Sequence, residues 1–210
     1  MRISLILSAL FLIIPFTANA HEPVYIGSDT SVSIPDPDTS RAYYGQLNGS
    51  PAVFSLSVST PINFYLNLLS PDISDARTDF TATMTDAEGR VITTLSGGTW
   101  DRWYEEFAGD TYLKGPESHT DIPAGTYTIT VENPGNSGKY VLAPGEREVF
   151  TPAGTPSNVR QIYLMKTQFF NKTPFAIFQG VIGYMLIGTV VIAVALLSLM
   201  IYYLRRRRAI

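Results

Sequence analysis

The chain contains no cysteine, only two histidines and only two tryptophans. Without thiols there can be no disulfide, no thiolate nucleophile and no cysteine-held metal. An exported domain of this composition must hold together by packing alone. Gly-x-Ser-x-Gly, His-Glu-x-x-His and a phosphate-cradling glycine loop are also missing. A Ser-His-Asp site would have to use His119, whose neighbours Ser118 and Thr120 face away from it on a strand. The chain is therefore expected not to be an enzyme. Charge is lacking in one long stretch as well: Val181 to Leu204 runs for 24 residues without a charged side chain.

At 1.5 Å per residue that stretch makes a helix about 36 Å long, enough to cross a ~30 Å hydrocarbon core with some tilt. Arg205 to Arg208 follow directly, and such a basic cluster stays on the cytoplasmic side, which places everything before it outside. At the other end, Arg2, the apolar run Ile3 to Phe16 and the small-x-small pattern Ala18-Asn19-Ala20 predict a secretory signal cut after Ala20. The expected organisation is a signal peptide over 1–20, an extracytoplasmic domain over 21–150 and a juxtamembrane connector over 151–175. A transmembrane helix over 176–204 and a basic cytoplasmic tail over 205–210 complete it. All eighteen acidic residues, but only ten of the fifteen basic ones, lie in the outer region. That balance argues against nucleic acid and against docking on anionic lipid. Asn48-Gly-Ser50 and Asn171-Lys-Thr173 match the glycosylation sequon, and each is followed or interrupted by turn-forming residues.

Within the outer region the hydrophobic period is two. Phe54, Leu56 and Val58 alternate with serines; Ile62, Phe64, Leu66 and Leu68 alternate with Asn63, Tyr65 and Asn67. Phe80, Ala82 and Met84 alternate with threonines, as do Tyr127, Ile129 and Val131. Turn signals such as Asp86-Ala-Glu-Gly89 and Pro134-Gly-Asn-Ser-Gly138 separate these runs. Alternation means one buried and one wet face, and two such sheets must cover each other. The expected fold is all-β: an antiparallel β-sandwich (jelly-roll or Ig-like) followed by one C-terminal transmembrane helix. In the connector, Ile162, Met165 and Phe169 share a helical face, and the expectation is a short helix lying on the membrane.

The motif Asp79-Phe-x-Ala-x-Met-x-Asp86-x-x-Gly89-x-Val91, then Pro123-Ala-Gly-Thr-Tyr127-x-Ile-x-Val131 and Gly138-Lys-Tyr140-x-Leu142, resembles the bacterial pre-peptidase C-terminal domain over roughly residues 42–143. The resemblance implies a jelly-roll-like sandwich that binds or tethers, often with calcium, and carries no catalytic residue. The stretch from Gly97 to Ser118 lies outside its pattern.

That stretch holds both tryptophans. Trp100, Trp103 and Tyr104 beside Glu105 and Glu106 form a candidate surface for a glycan or an envelope protein. Trp103 is expected to be structural, with part of Trp100 to Tyr104 exposed at a rim. For calcium, the candidate ligands are Asp36 and Asp38, or Asp72, Asp75 and Asp79. For copper they are His21, as first mature residue, and His119; this pairing resembles the histidine brace of copper-binding sandwich proteins. Ala176, Gly180 and Gly183 lie close to one face of the anchor, where small residues favour association with a second membrane helix. The function expected is a membrane-anchored binding or scaffolding module recognising an envelope protein or glycan, with copper binding as the alternative.

Overall fold

The computed structural model describes residues 21–149 and 156–208; the signal sequence expected over 1–20 lies outside the described residues. The strands are β1 (Glu22–Gly27), β2 (Ser31–Ile34), β3 (Arg41–Asn48), β4 (Ala52–Val58), β5 (Ile62–Pro71), β6 (Thr81–Asp86), β7 (Val91–Leu95), β8 (Asp101–Glu105), β9 (Asp110–Ile122), β10 (Gly125–Glu132) and β11 (Ser137–Pro144). They form two sheets, one of six strands in the order β1-β3-β11-β5-β9-β8 and one of five in the order β2-β4-β10-β6-β7. The chain is a β-sandwich. Pairing is antiparallel except at two edges, where β1 runs parallel to β3 and β2 parallel to β4. The chain changes sheet at most connections, so only β6–β7 and β8–β9 are hairpins between consecutive strands.

The alternating residues meet between the sheets as expected. Phe54, Leu56, Phe64, Leu66, Leu68, Met84, Tyr127, Ile129 and Val131 are buried in one cluster. Phe54 meets Tyr43 and Tyr140 edge-on at centroid distances of 5.7 and 6.4 Å, the arrangement that ring quadrupoles favour. The serines of β4 between these positions stay exposed, so the five-stranded sheet has one dry and one wet face.

The six-stranded sheet departs from that pattern, because β5 is buried on both faces from Phe64 to Pro71. The reason is the connector. Helix α1 (Pro156–Leu164) and the π-helical turn Met165–Phe169 do not lie apart from the sandwich on a membrane surface. They pack on the outer face of this sheet, where Ile162, Met165, Phe169 and Phe170 cover Ala42, Tyr44, Leu69, Tyr112, Val141 and Ala143. Phe169 sits edge-on to Tyr44 at 5.1 Å and Phe170 edge-on to Tyr112 at 5.2 Å. Lys139 Nζ closes the C-terminal end of the connector helix by donating to the carbonyls of Gln168 (2.9 Å) and Phe169 (2.8 Å), groups that a helix end otherwise leaves unpaired.

A 3₁₀ turn, Pro174–Phe178, leads into α2 (Gly180–Arg208). Gly180 has a φ of 69°, a left-handed turn that separates the two helices and that favours glycine. Gly183–Arg206 is long and apolar enough to cross a membrane, with a mean hydropathy of 2.5; Gly183 is buried against the preceding turn and the rest is largely exposed.

Candidate functional site

The outer face of the six-stranded sheet divides in two. The connector covers one part; the other presents a ladder of polar and aromatic pairs across β5 and β9. The register places Asn63 opposite Asp121, Tyr65 opposite His119 and Asn67 opposite Glu117. Alternation turns all six to the outer face, since their neighbours Ile62, Phe64, Leu66 and Ile122 fill the interior. Asn63 Nδ2 donates to Asp121 Oδ1 at 2.6 Å, the Tyr65 and His119 rings lie 4.9 Å apart, and Tyr65 Oη donates to Glu117 Oε2 at 2.8 Å. Lys114 reaches the same Glu117 carboxylate at 2.9 Å and holds its pKa below the ordinary carboxylate value, with Tyr65 assisting. Burial raises the pKa of Tyr65, and the hydrogen bond to Glu117 adds to the shift, so the phenol remains a donor. A shallow depression of about 380 Å³ between Pro61, Ile62, Asn63, Asp121, Ile122 and Pro123 adjoins the ladder.

Residues beyond β11 extend this face. Glu146 Oε2 lies 3.0 Å from His119 Nε2, and His21 Nδ1 shares a 2.6 Å hydrogen bond with Ser40 Oγ. Burial lowers the His21 pKa, against an opposing effect of the Glu146 charge. The sheet therefore brings His21 and His119 within electrostatic reach of one carboxylate, although 98 positions separate them in the chain. Ser40 is itself buried, which keeps a substrate carbonyl from its hydroxyl.

The aromatic stretch lies elsewhere. It forms β8 and the β8–β9 hairpin at the edge of the sheet, with part of it exposed as expected. Trp100 packs against the inter-sheet core and buries its Nε1. Gly115 makes room for it, because a Cβ there would lie 2.8 Å from the indole ring. Trp103, expected to be structural, is 41 % exposed and Tyr104 56 %; they sit on an edge strand with no further strand beyond it. Glu105 is not free for a ligand: its carboxylate accepts the backbone N–H groups of Phe107 and Ala108, each at 2.7 Å, and so closes the hairpin. Its burial nevertheless raises its pKa, those two donors opposing the shift. Glu106 is exposed, and its carbonyl accepts the N–H of Val181 at 3.3 Å. The hairpin thus rests on the first turn of α2.

A buried ionic cluster locks this junction. Asp110 is fully buried and accepts from Lys166 Nζ at 2.6 Å and from Lys172 Nζ at 2.7 Å. Lys166, 1 % exposed, also donates to the carbonyl of Ala108. Burial lowers its pKa while Asp110 opposes the shift. Gly109 and Gly180 meet backbone to backbone, since a Cβ on Gly109 would lie 2.8 Å from the nitrogen of Gly180. The stripe expected to serve a second membrane helix is consumed here. Ala176 is buried, Gly180 packs on the hairpin and Gly183 packs on the backbone of Phe178.

The carboxylates expected for calcium are mostly held by arginines. Arg147 grips Asp38 at 2.7 and 3.0 Å and lowers its pKa, and Arg77 does the same to Asp79 at 2.9 and 2.5 Å. Arg102 pairs with Asp72 at 2.5 Å. Asp36 and Asp75 are exposed. Among the described residues no group of three or more His, Asp or Glu side chains is placed to hold a metal ion.

The sequence signal for the ladder was the period-two polar set Glu117, His119 and Asp121 facing Asn63, Tyr65 and Asn67. Glu146 carried no signal, because it joins the face only through the fold.

Fold and site together define a β-sandwich with one open polar sheet face, joined to a helix long enough to cross a membrane. No protein-family model matches the chain, and no curated protein matches it. Among solved structures it is similar to the pre-peptidase C-terminal domain of a collagenase from Bacillus anthracis, at 14 % identity and a TM-score of 0.33, over 60 % of this chain and 95 % of that one. A periplasmic inhibitor of g-type lysozyme from Aeromonas hydrophila shares 13 % identity at a TM-score of 0.36, over 57 % and 97 % of the two chains. A carbohydrate-binding module of a lichenase from Cellvibrio mixtus shares 12 % at 0.26, over 50 % and 70 %. The resemblance noted in the strand motifs thus recurs among solved structures. At these scores it says nothing of function.

Proposed function

We propose that the chain is a membrane-anchored extracytoplasmic binding module that presents the open half of its six-stranded sheet to an envelope protein or glycan. The observation that supports this reading is the ladder Asn63–Asp121, Tyr65–His119 and Asn67–Glu117. It leaves Asn63, Glu117, His119 and Asp121 exposed side by side, while Tyr65 and Asn67 are buried beneath them, Tyr65 bonded to Glu117 and Asn67 to the β9 backbone. Flat sheet faces with aromatic and polar groups suit partners that combine apolar and hydrogen-bonding surface. Binding is favoured over catalysis because Ser40 is buried beneath His21 and the Glu105 carboxylate is spent on its own hairpin. The basic tail from Arg205 onward would lie in the cytoplasm and the sandwich outside. A photo-crosslinking residue placed at His119 tests this in intact cells against the same residue at Val91 on the other sheet. Discrete adducts at His119 and none at Val91 are expected; equal labelling, or none at either position, would refute the reading.

Copper at His21 and His119 is the alternative reading; Glu146 contacts His119 and acts on His21 only through its charge, and the described residues bring no three such side chains together. Copper titration of the chain beginning at His21, wild type against His119→Ala, tests it. An unchanged affinity removes His119 from any such site.

A further inference from the structure

We infer that the exposed rings of Trp103, Tyr104, Phe175 and Phe178 form a docking platform for the headgroup layer of the bilayer that α2 crosses. The inference rests on reading α2 as a membrane span. Phe175 is 78 % exposed and Phe178 44 %, and both belong to the 3₁₀ turn that ends two residues before α2 begins. Trp103 and Tyr104 come from β8, a different element whose two sides they flank, and the turn that follows them meets the start of α2. The carbonyl of Glu106 meets the N–H of Val181 at 3.3 Å. At about 3.3 Å per strand residue, Tyr104 and Trp103 lie within roughly 7 and 10 Å of that contact along the strand. The apolar span starts at Gly183, two helical residues or about 3 Å below Val181. The polar layer of a bilayer is about 5–8 Å deep on each side, so these four rings fall in or directly above it.

Three features point to lipid headgroups rather than to a soluble partner. Phe175 and Phe178 directly precede the helix whose apolar side chains from Tyr184 onward are largely exposed. It combines phenol and indole with plain rings, the mixture enriched where one end of a side chain is wet and the other apolar. The nearby cations Lys166 and Lys172 are turned inward onto Asp110 while Glu106 is exposed, which suits zwitterionic rather than anionic lipid. The hairpin therefore acts as a second foot beside the span and limits the tilt of the sandwich.

The test uses the full chain in phosphatidylcholine nanodiscs containing spin-labelled lipid, with tryptophan fluorescence as the readout. Trp103 is isolated as the difference between wild type and Trp103→Phe; the partly buried indole of Trp100, packed on the inter-sheet core, is the internal control. Quenching of Trp103 several-fold stronger by lipid labelled near the headgroup than at the chain end is expected, with Trp100 unaffected. A Tyr184→Trp change in the Trp103→Phe background reports on the span alone. Lipid quenching at position 184 without quenching of Trp103 overturns the platform and leaves the span intact. No lipid quenching at either position overturns the span reading itself. If Trp103→Phe does not fold, Phe178→Trp in the wild-type chain supplies the same comparison: an added shallow-quenched component supports the platform, and its absence refutes it.

Discussion

Replacing Lys166 by Met tests the buried cluster that joins connector, hairpin and span. The two side chains are close in volume, so the loss is the charge and its hydrogen bonds rather than packing. Lys166 and Asp110 are buried to 1 % and 0 % exposure with their charged atoms 2.6 Å apart. Breaking such a pair leaves an uncompensated buried charge and costs about 3–5 kcal/mol. Lys172 remains on the other oxygen of Asp110 at 2.7 Å and is itself partly exposed, which puts the expected cost at the lower end, about 3 kcal/mol. For a chain of this length each kcal/mol moves Tm by about 2–4 °C, so a fall of about 6–12 °C is expected. Circular dichroism of the full chain in detergent measures it. The double change Lys166→Met with Asp110→Leu should recover much of the loss, because an apolar pair of similar volume often equals or exceeds a buried ion pair. A Lys166→Met protein that melts within a degree or two of wild type would refute the claim that this cluster holds the connector on the sheet.

Other outcomes follow from single positions. Phe54, fully buried between the sheets, should cost about 3–5 kcal/mol when replaced by Ala, read as an earlier denaturant midpoint. Gly180→Val places a Cβ 2.6 Å from the Ala108 carbonyl carbon at a φ of 69°; the left-handed strain alone costs roughly 1–3 kcal/mol, and hydrogen exchange at Ala108 and Gly109 should rise. Burial lowers the His21 pKa from 6.5, so the folded chain binds fewer protons than the unfolded one. The stability due to the neutral ring is present above pH 6.5 and is lost as pH falls through the lowered folded value, by at most about 1.4 kcal/mol per pH unit; His21→Gln should flatten that limb of a pH–stability curve.

The inner faces of both sheets were legible from alternation alone, because Phe54, Leu56, Ile129 and Val131 obey the period that one-sided burial imposes. The second core was not, although its trace is visible afterwards. Ala42-Tyr43-Tyr44, Leu68-Leu69 and Tyr140 to Ala143 are runs without alternation, as strands covered on both faces must be. Lys166 gave no signal for a different reason. A single lysine in an amphipathic helix reads as a solvated group, and only the fold reveals Asp110, 56 positions away, as its partner. The same logic displaced Gly180 from a helix–helix seam to a hairpin contact, since small residues permit close approach without naming what approaches. Trp103 proved exposed rather than structural because burial depends on where β8 begins, and a one-residue difference in register turns a side chain to the other face.

The most direct test of rigid presentation uses the absence of native cysteine. Spin labels at Val91→Cys, on the far edge of the five-stranded sheet, and at Leu204→Cys, near the end of α2, can be attached without background. Pulsed electron-spin distance measurement in nanodiscs then reports how the sandwich sits on its helix. A single narrow distribution that broadens in Lys166→Met is predicted. A broad distribution in the unmodified background would contradict the account, because it would mean that the sandwich swings freely on its anchor.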